Sequence, residues 1–175
     1  MKSRSGAGHR GPASGATRAG RGAPASENVT DYTRGQYSIT TDARKLDLDA
    51  IHAFLSRSFW AEGIPKETVA KAIDNSLCFG LFDAAKQVGF ARVVTDRATF
   101  AYLCDVYVLE THRGLGLGKW LIETVMAHRD LQGLRRFQLV TRDAHGLYSR
   151  HGFDTPAHPD RQMEIFRHGM YLEPK

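Results

Sequence analysis

The stretch Tyr107-Val108-Leu109-Glu110-Thr111-His112-Arg113-Gly114-Leu115-Gly116-Leu117-Gly118-Lys119-Trp120-Leu121 reads as a strand that turns into a helix through a glycine-rich join. Upstream, residues 101–108 are rich in β-branched and aromatic side chains, the composition of a strand. Downstream, Leu117, Trp120, Leu121, Thr124, Val125 and His128 recur at the spacing of one helical face. Gly114, Gly116 and Gly118 alternate across the join. Glycines there leave backbone N–H groups unobstructed by Cβ atoms, and the first helical turn adds unpaired donors and the positive end of its dipole. Such an arrangement suits a phosphate or pyrophosphate; a glycine-rich turn that binds nothing is the alternative. Two common phosphate motifs do not fit. A P-loop needs four residues between its glycines and then Gly-Lys-Ser/Thr, whereas Lys119 is followed by Trp120, and the glycines run G-x-G-x-G instead of the dinucleotide G-x-G-x-x-G.

A second stretch narrows the choice. Phe137-Gln138-Leu139-Val140-Thr141 alternates like a strand, and Ala144-His145-Gly146-Leu147-Tyr148-Ser149-Arg150-His151-Gly152-Phe153 follows as a short helix closed by Gly152. Together the two stretches resemble the GNAT superfamily of acyl-CoA-dependent N-acetyltransferases. Arg113-Gly114-Leu115-Gly116-Leu117-Gly118 is similar to that family's pyrophosphate loop, Arg/Gln-x-x-Gly-x-Gly/Ala. Ala144, Leu147, Tyr148, Gly152 and Phe153 keep the register of its second motif. The resemblance runs from about Tyr37 to the C-terminus.

The resemblance implies a single α/β (α+β) domain. Its sheet would be mixed and mostly antiparallel, with a V-shaped splay between two central parallel strands and helices on its flanks. It implies acetyl-CoA as donor and a primary amine, on a small molecule or a peptide, as acceptor in a direct transfer. Backbone groups of Arg113, Gly114, Leu115, Gly116, Leu117 and Gly118 would face the pyrophosphate, and Val106, Tyr107 and Val108 would meet the pantetheine arm as an added half-strand does. Lys119 either meets a phosphate or is solvated. Many relatives carry Asn where this chain has Thr141, which puts that residue's contact to the cofactor arm in doubt.

Tyr148 falls beside the sulfur in the motif, where a phenol could protonate the departing thiolate; a packing aromatic is its other reading. Asp105 sits where relatives often have an acidic residue that takes the proton of the amine, although a structural or substrate-orienting role fits equally. Tyr107, two residues on, would share its face. Trp60 and Glu62 lie between two expected helices, in the region that borders the acceptor pocket in the family. There Trp60 could stack on the substrate and Glu62 could pair with an ammonium; packing and solvation are their plainer roles.

Composition bounds the rest. The 175 residues are enough for one domain with its own core. The net charge of +5 points to nucleic acid until it is located: residues 1–35 hold six Lys or Arg against two acidic residues, so +4 of it lies there and +1 in residues 36–175. Residues 1–35 are Gly, Ala, Ser and Arg with almost no apolar bulk, so the sequence predicts disorder there and a folded domain from 36 to 175. Nucleic acid binding through that tail is the weaker rival function; a non-catalytic acyl-CoA-binding protein on the same fold is the nearer one. No apolar run could span a bilayer, and Cys78 and Cys104 fit reduced thiols of a cytoplasmic protein. His112, His145 and His151 form no metal-ligand pattern, and no metal is expected. A homodimer is compatible with all of this.

Within the domain, a strand at Tyr37 precedes a helix capped by Asp47 with Leu48, Ile51, Phe54 and Leu55 on one face. A second helix starts near Pro65, with Val69, Ala72 and Ile73 as its stripe. Residues 77–82, 88–95 and 99–108 read as an antiparallel meander; residues 137–141 should lie parallel to 99–108, and residues 163–166 form a candidate last strand.

Overall fold

The computed structural model describes residues 29–172. Six strands form one sheet in chain order: β1 (Asp31–Arg34), β2 (Tyr37–Thr40), β3 (Leu77–Asp83), β4 (Lys86–Thr95), β5 (Phe100–Val108) and β6 (Arg136–Leu139). Every neighbouring pair is antiparallel except β5 and β6, which are parallel. Helices α1 (Leu48–Leu55) and α2 (Lys66–Asp74) join β2 to β3, α3 (Leu117–Ala127) joins β5 to β6, and α4 (His145–Tyr148) follows β6. This is the mixed, mostly antiparallel architecture that the sequence predicts.

Helix formation follows the local signals. Asp47 accepts the Ala50 N–H at 2.9 Å and caps α1, whose Ile51 and Leu55 are buried. Pro65 precedes α2, which turns Val69 and Ile73 inward. Leu117, Trp120, Leu121, Ile122, Thr124 and Val125 make α3 apolar over most of its circumference. The sheet thus carries a core on each face. Phe79, Leu81, Val88 and Val93 pack with α3, while Cys78, Phe90 and Tyr107 pack with α1 and α2. Each large side chain taken fully from water there contributes about 1.5–3 kcal/mol.

Two expectations need correction. The sheet begins inside the segment expected to be disordered, because β1 pairs along its length with β2 through the Gly35-Gln36 turn. Tyr32 packs on the α3 core, the Arg34 guanidinium lies 4.7 Å from the Trp120 ring centroid, and Lys45 pairs with Asp31 at 3.0 Å. The domain therefore starts before residue 36; the disorder expected of residues 1–28 lies outside the described residues. At the other end, residues 163–166 are not a strand. After Gly152 the described chain holds a short helical turn, Pro159–Arg161, and a second turn at residues 168–171, and Met163 and Ile165 are 98% and 87% exposed. Without a neighbouring strand to complete their hydrogen bonds, alternating side chains alone do not make a strand.

Candidate active site

The splay expected between the parallel strands is visible in their register. Pairing of β5 with β6 runs from Phe100↔Arg136 to Leu103↔Leu139 and stops, while β5 continues to Val108. Beyond that point β5 leads into the glycine loop and β6 into Thr141–Ala144 and α4. The gap is an open groove of about 1110 Å³. Val106, Tyr107 and Val108 line one side of it, and Ala144, Leu147 and Tyr148 another. Four cations, Arg57, Lys86, Arg113 and Arg142, also face it. Arg142 stacks over the Phe59 ring at 4.0 Å, which links the loop after β6 to the α1–α2 connection.

In the loop, Gly114 and Gly116 take φ of +79° and +74°, and an added Cβ would meet nothing within 4 Å. The left-handed backbone, not crowding, calls for glycine at these two positions. Gly116 directly precedes α3, so the chain enters the helix with its N–H groups exposed and the dipole behind them. Gly118 lies in the first turn and lines the groove. Leu115 is exposed, whereas Leu117 is a core residue that has only backbone to offer a ligand. Arg113 donates to the Val108 carbonyl at 3.3 Å and faces Glu110 at 3.5 Å. The Lys119 ammonium pairs with Glu123 at 3.6 Å along the helix.

Tyr148 is buried on α4, edge-on to Phe153 with centroids 6.0 Å apart. The Thr141 hydroxyl oxygen accepts the Ala144 N–H at 3.0 Å, and the Ala144 carbonyl accepts the N–H of Leu147 and of Tyr148. Thr141 thereby fixes the turn that presents Tyr148. Burial raises the Tyr148 pKa, so its phenol keeps its proton at neutral pH. Burial does the same to Tyr107, whose ring stacks on Phe54 at 3.7 Å and 9°.

Asp105 sits in a β-bulge. Phe90 pairs with Tyr107 and Arg92 with Cys104, so Ala91 alone opposes both Asp105 and Val106. Asp105 itself has φ of +53°, rare for a residue with a Cβ. The extra residue changes which side chains face which core: Ala101 and Leu103 pack with α3 before it, Val106 and Val108 after it. Asp105 and Tyr107 share a face, as their two-residue spacing predicts, and that face turns toward α1 and α2. The carboxylate is shared: Oδ2 accepts Arg92 Nε at 2.7 Å, and Oδ1 accepts Trp60 Nε1 at 3.3 Å. Arg92 also donates to Ser76 Oγ at 3.1 Å. Beside them, burial pushes the Cys104 thiol up to about 12, which keeps it protonated and a poor nucleophile.

Trp60 thus joins Asp105, and it lines both the large groove and a smaller recess of about 170 Å³ that reaches Asp105 and Arg92. Glu62 is not brought to this cluster. It is exposed and faces a hollow formed with the C-terminal segment, whose Tyr171 carbonyl would lie 2.9 Å from a Cβ on Gly63. Arg92 went unnoticed in the sequence although a signal existed. A lone cation inside Val88-Gly89-Phe90-Ala91-Arg92-Val93 must find a buried partner or disrupt the strand.

A sheet that parts between two parallel strands, ahead of a glycine-rich helix start, defines the acetyltransferase class to which comparison with known proteins also leads. Residues 74–155 match the model of the acetyltransferase (GNAT) domain. A Gibberella zeae protein named as an acetyltransferase is 36% identical over 149 residues, covering 70% of this chain and 83% of its own. A crystal structure of a Xanthomonas campestris pv. campestris protein, assigned to the GNAT family as an acetyltransferase, is 54% identical. It superposes with a TM-score of 0.77 over 78% of this chain and 96% of its own. The same fold occurs in a Clostridium acetobutylicum acetyltransferase solved with acetyl-CoA, at 15% identity and a TM-score of 0.55 over 74% and 94% of the two chains. The chain belongs to the GNAT family of acetyltransferases. Among the described residues, no helix is long and apolar enough to cross a membrane, and no group of three or more His, Cys, Asp or Glu could hold a metal ion.

Proposed function

We propose that the protein transfers an acetyl group from acetyl-CoA directly to a primary amine, with Tyr148 as the acid that protonates the departing thiolate. One observation carries the reading: a single groove joins the open start of α3 to a buried, protonated phenol on the opposite side of the strand splay. The residues suit the donor. Exposed N–H groups around Gly114 to Gly118, the helix dipole, and the cations Arg57, Lys86, Arg113 and Arg142 favour a polyanion. The backbone of Val106 to Val108, unpaired by β6, fits an amide-bearing arm laid along it.

Acetyl-CoA supplies an already activated thioester, so holding a neutral amine against its carbonyl provides much of the rate. The protein's own tasks are then to orient and to move protons. Tyr148 Oη holds the proton that the sulfur takes. Asp105 orients the amine: Oδ2 is engaged by Arg92, while Oδ1 keeps only a long bond from Trp60 and is the oxygen open to an ammonium N–H. The inert Cys104 thiol favours direct transfer over an acyl-thiol intermediate on the protein. A cytoplasmic location is in keeping with the free thiols of Cys78 and Cys104.

Release of free thiol from acetyl-CoA, followed with a panel of amines, tests the proposal. Thiol release that depends on amine supports it. Tight CoA binding with no amine-dependent release would instead favour a non-catalytic acyl-CoA-binding protein.

A further inference from the structure

We infer that the recess behind Trp60 holds the body of the acceptor, which is a primary monoamine carrying one compact apolar group of about the size of a benzene ring. The inference rests on the transfer reaction proposed above and names its substrate class.

The volume comes first. At about 170 Å³ the recess is slightly larger than an engineered apolar cavity of about 150 Å³ that admits benzene. Leu55, Ile64, Val69, Ala72, Ile73 and Phe90 give it an apolar side drawn from α1, α2, the link between them and β4, and Tyr171 of the C-terminal segment adds a phenol ring. Among the described residues, the only full charges on it are Arg92 and Asp105, and these are paired with each other at 2.7 Å. A second ammonium, a carboxylate or a phosphate on the acceptor would enter with no counter-charge, at the cost of desolvating it. One ammonium does find a place, at Asp105 Oδ1, where it takes over from the 3.3 Å bond of the Trp60 indole. Trp60 belongs to both hollows, so a nitrogen held there sits at the wall between the recess and the groove. Glu62, exposed and turned toward the C-terminal segment, takes no part.

The reaction balances with these groups. The carbon–sulfur bond of the thioester breaks as the carbon–nitrogen bond forms. Of the ammonium's three N–H protons, one goes to solvent, one is matched by the proton delivered to sulfur through Tyr148, and one stays on the amide.

The full chain, with saturating acetyl-CoA, should prefer benzylamine and isopentylamine over glycine and putrescine by about 10-fold or more in kcat/KM, the range that apolar pockets discriminate. Ala72→Phe fills the recess and should raise KM for benzylamine at least 10-fold while leaving CoA affinity, measured calorimetrically, as it was. Ile64→Ala enlarges the recess and should move the preference toward naphthylmethylamine; it also serves if Ala72→Phe does not fold. A preference for glycine or putrescine, or an unaltered benzylamine KM in Ala72→Phe, overturns the inference while leaving the transferase reading intact. If no amine releases thiol, that reading fails on its own. The recess is then judged by calorimetric binding of benzylamine to the CoA complex. Binding that Ala72→Phe abolishes supports the site, and no binding overturns it.

Discussion

At the scale of single residues, Tyr148 has the sharpest consequence. Tyr148→Phe keeps the ring that packs on Phe153 and removes the proton held by the groove. The turnover number should fall by about 100-fold, the lower range for a lost general acid, with CoA affinity little altered. Steady-state kinetics beside a direct binding measurement will separate the two; full turnover would leave Tyr148 a packing residue. Gly116 tests the loop in the same spirit. At φ of +74°, Asn is tolerated better than most side chains, whereas Asp adds a negative charge where a polyanion is expected. Gly116→Asn should therefore bind CoA measurably and Gly116→Asp should not; equal affinities for both would remove the charge argument. These residues were legible because glycines and a fixed register announce themselves. Arg92 was harder to see, since its meaning depends on Asp105, thirteen positions away across a strand pair, and on a bulge that no alternation pattern discloses.

At the scale of elements, β2 to β5 were legible, and so was the parallel return of β6 after α3. What escaped was β1. It is four residues long, holds one aromatic, and lies at the end of a basic, Gly- and Ser-rich segment, so its composition signals disorder. Its stability comes from elsewhere: from β2, from Trp120 and Glu123 on α3, and from Thr41, which exchanges hydrogen bonds with Thr30. The opposite error, at residues 163–166, has the same origin. An alternating pattern is a local property, whereas a strand requires a partner. Two truncations measure the value of β1. A chain beginning at residue 36 should melt about 5 °C below one beginning at residue 29. Partial burial of Tyr32 is worth on the order of 1–2 kcal/mol, and each kcal/mol moves the midpoint by about 2–4 °C in a domain of this size. Equal midpoints would mean that β1 adds nothing to the stability of the sheet.

At the scale of the whole molecule, stability should fall with acid in two separate windows. His128 closes α3, is 2% exposed, and meets the Phe79 ring edge-on. Its Nδ1 accepts the Asp130 N–H, and Asp130, Arg129 and Arg97 are the charges that act on it. Burial lowers its pKa in the fold, against the opposing pull of Asp130. The unfolded chain therefore binds the proton more readily. The stability held with a neutral His128 is complete above the unfolded value of about 6.5 and is lost as pH falls through the folded one. A second window belongs to carboxylates. Asp96 is held well below the ordinary range by the Thr99 hydroxyl and by backbone N–H groups of Thr99, Phe100 and Ala98, which close the turn between β4 and β5. Asp42 is lowered by its hydrogen bonds from Arg44. Their contribution is present above about 3.9, the unfolded value for Asp, and goes as pH falls through the depressed folded values. Melting midpoints between pH 8 and pH 2 should thus decline once below about 6.5 and again below about 4. His128→Leu should flatten the first decline and keep the second, and Asp96→Asn should weaken the second and keep the first. A first decline of undiminished size in His128→Leu would assign it to another group.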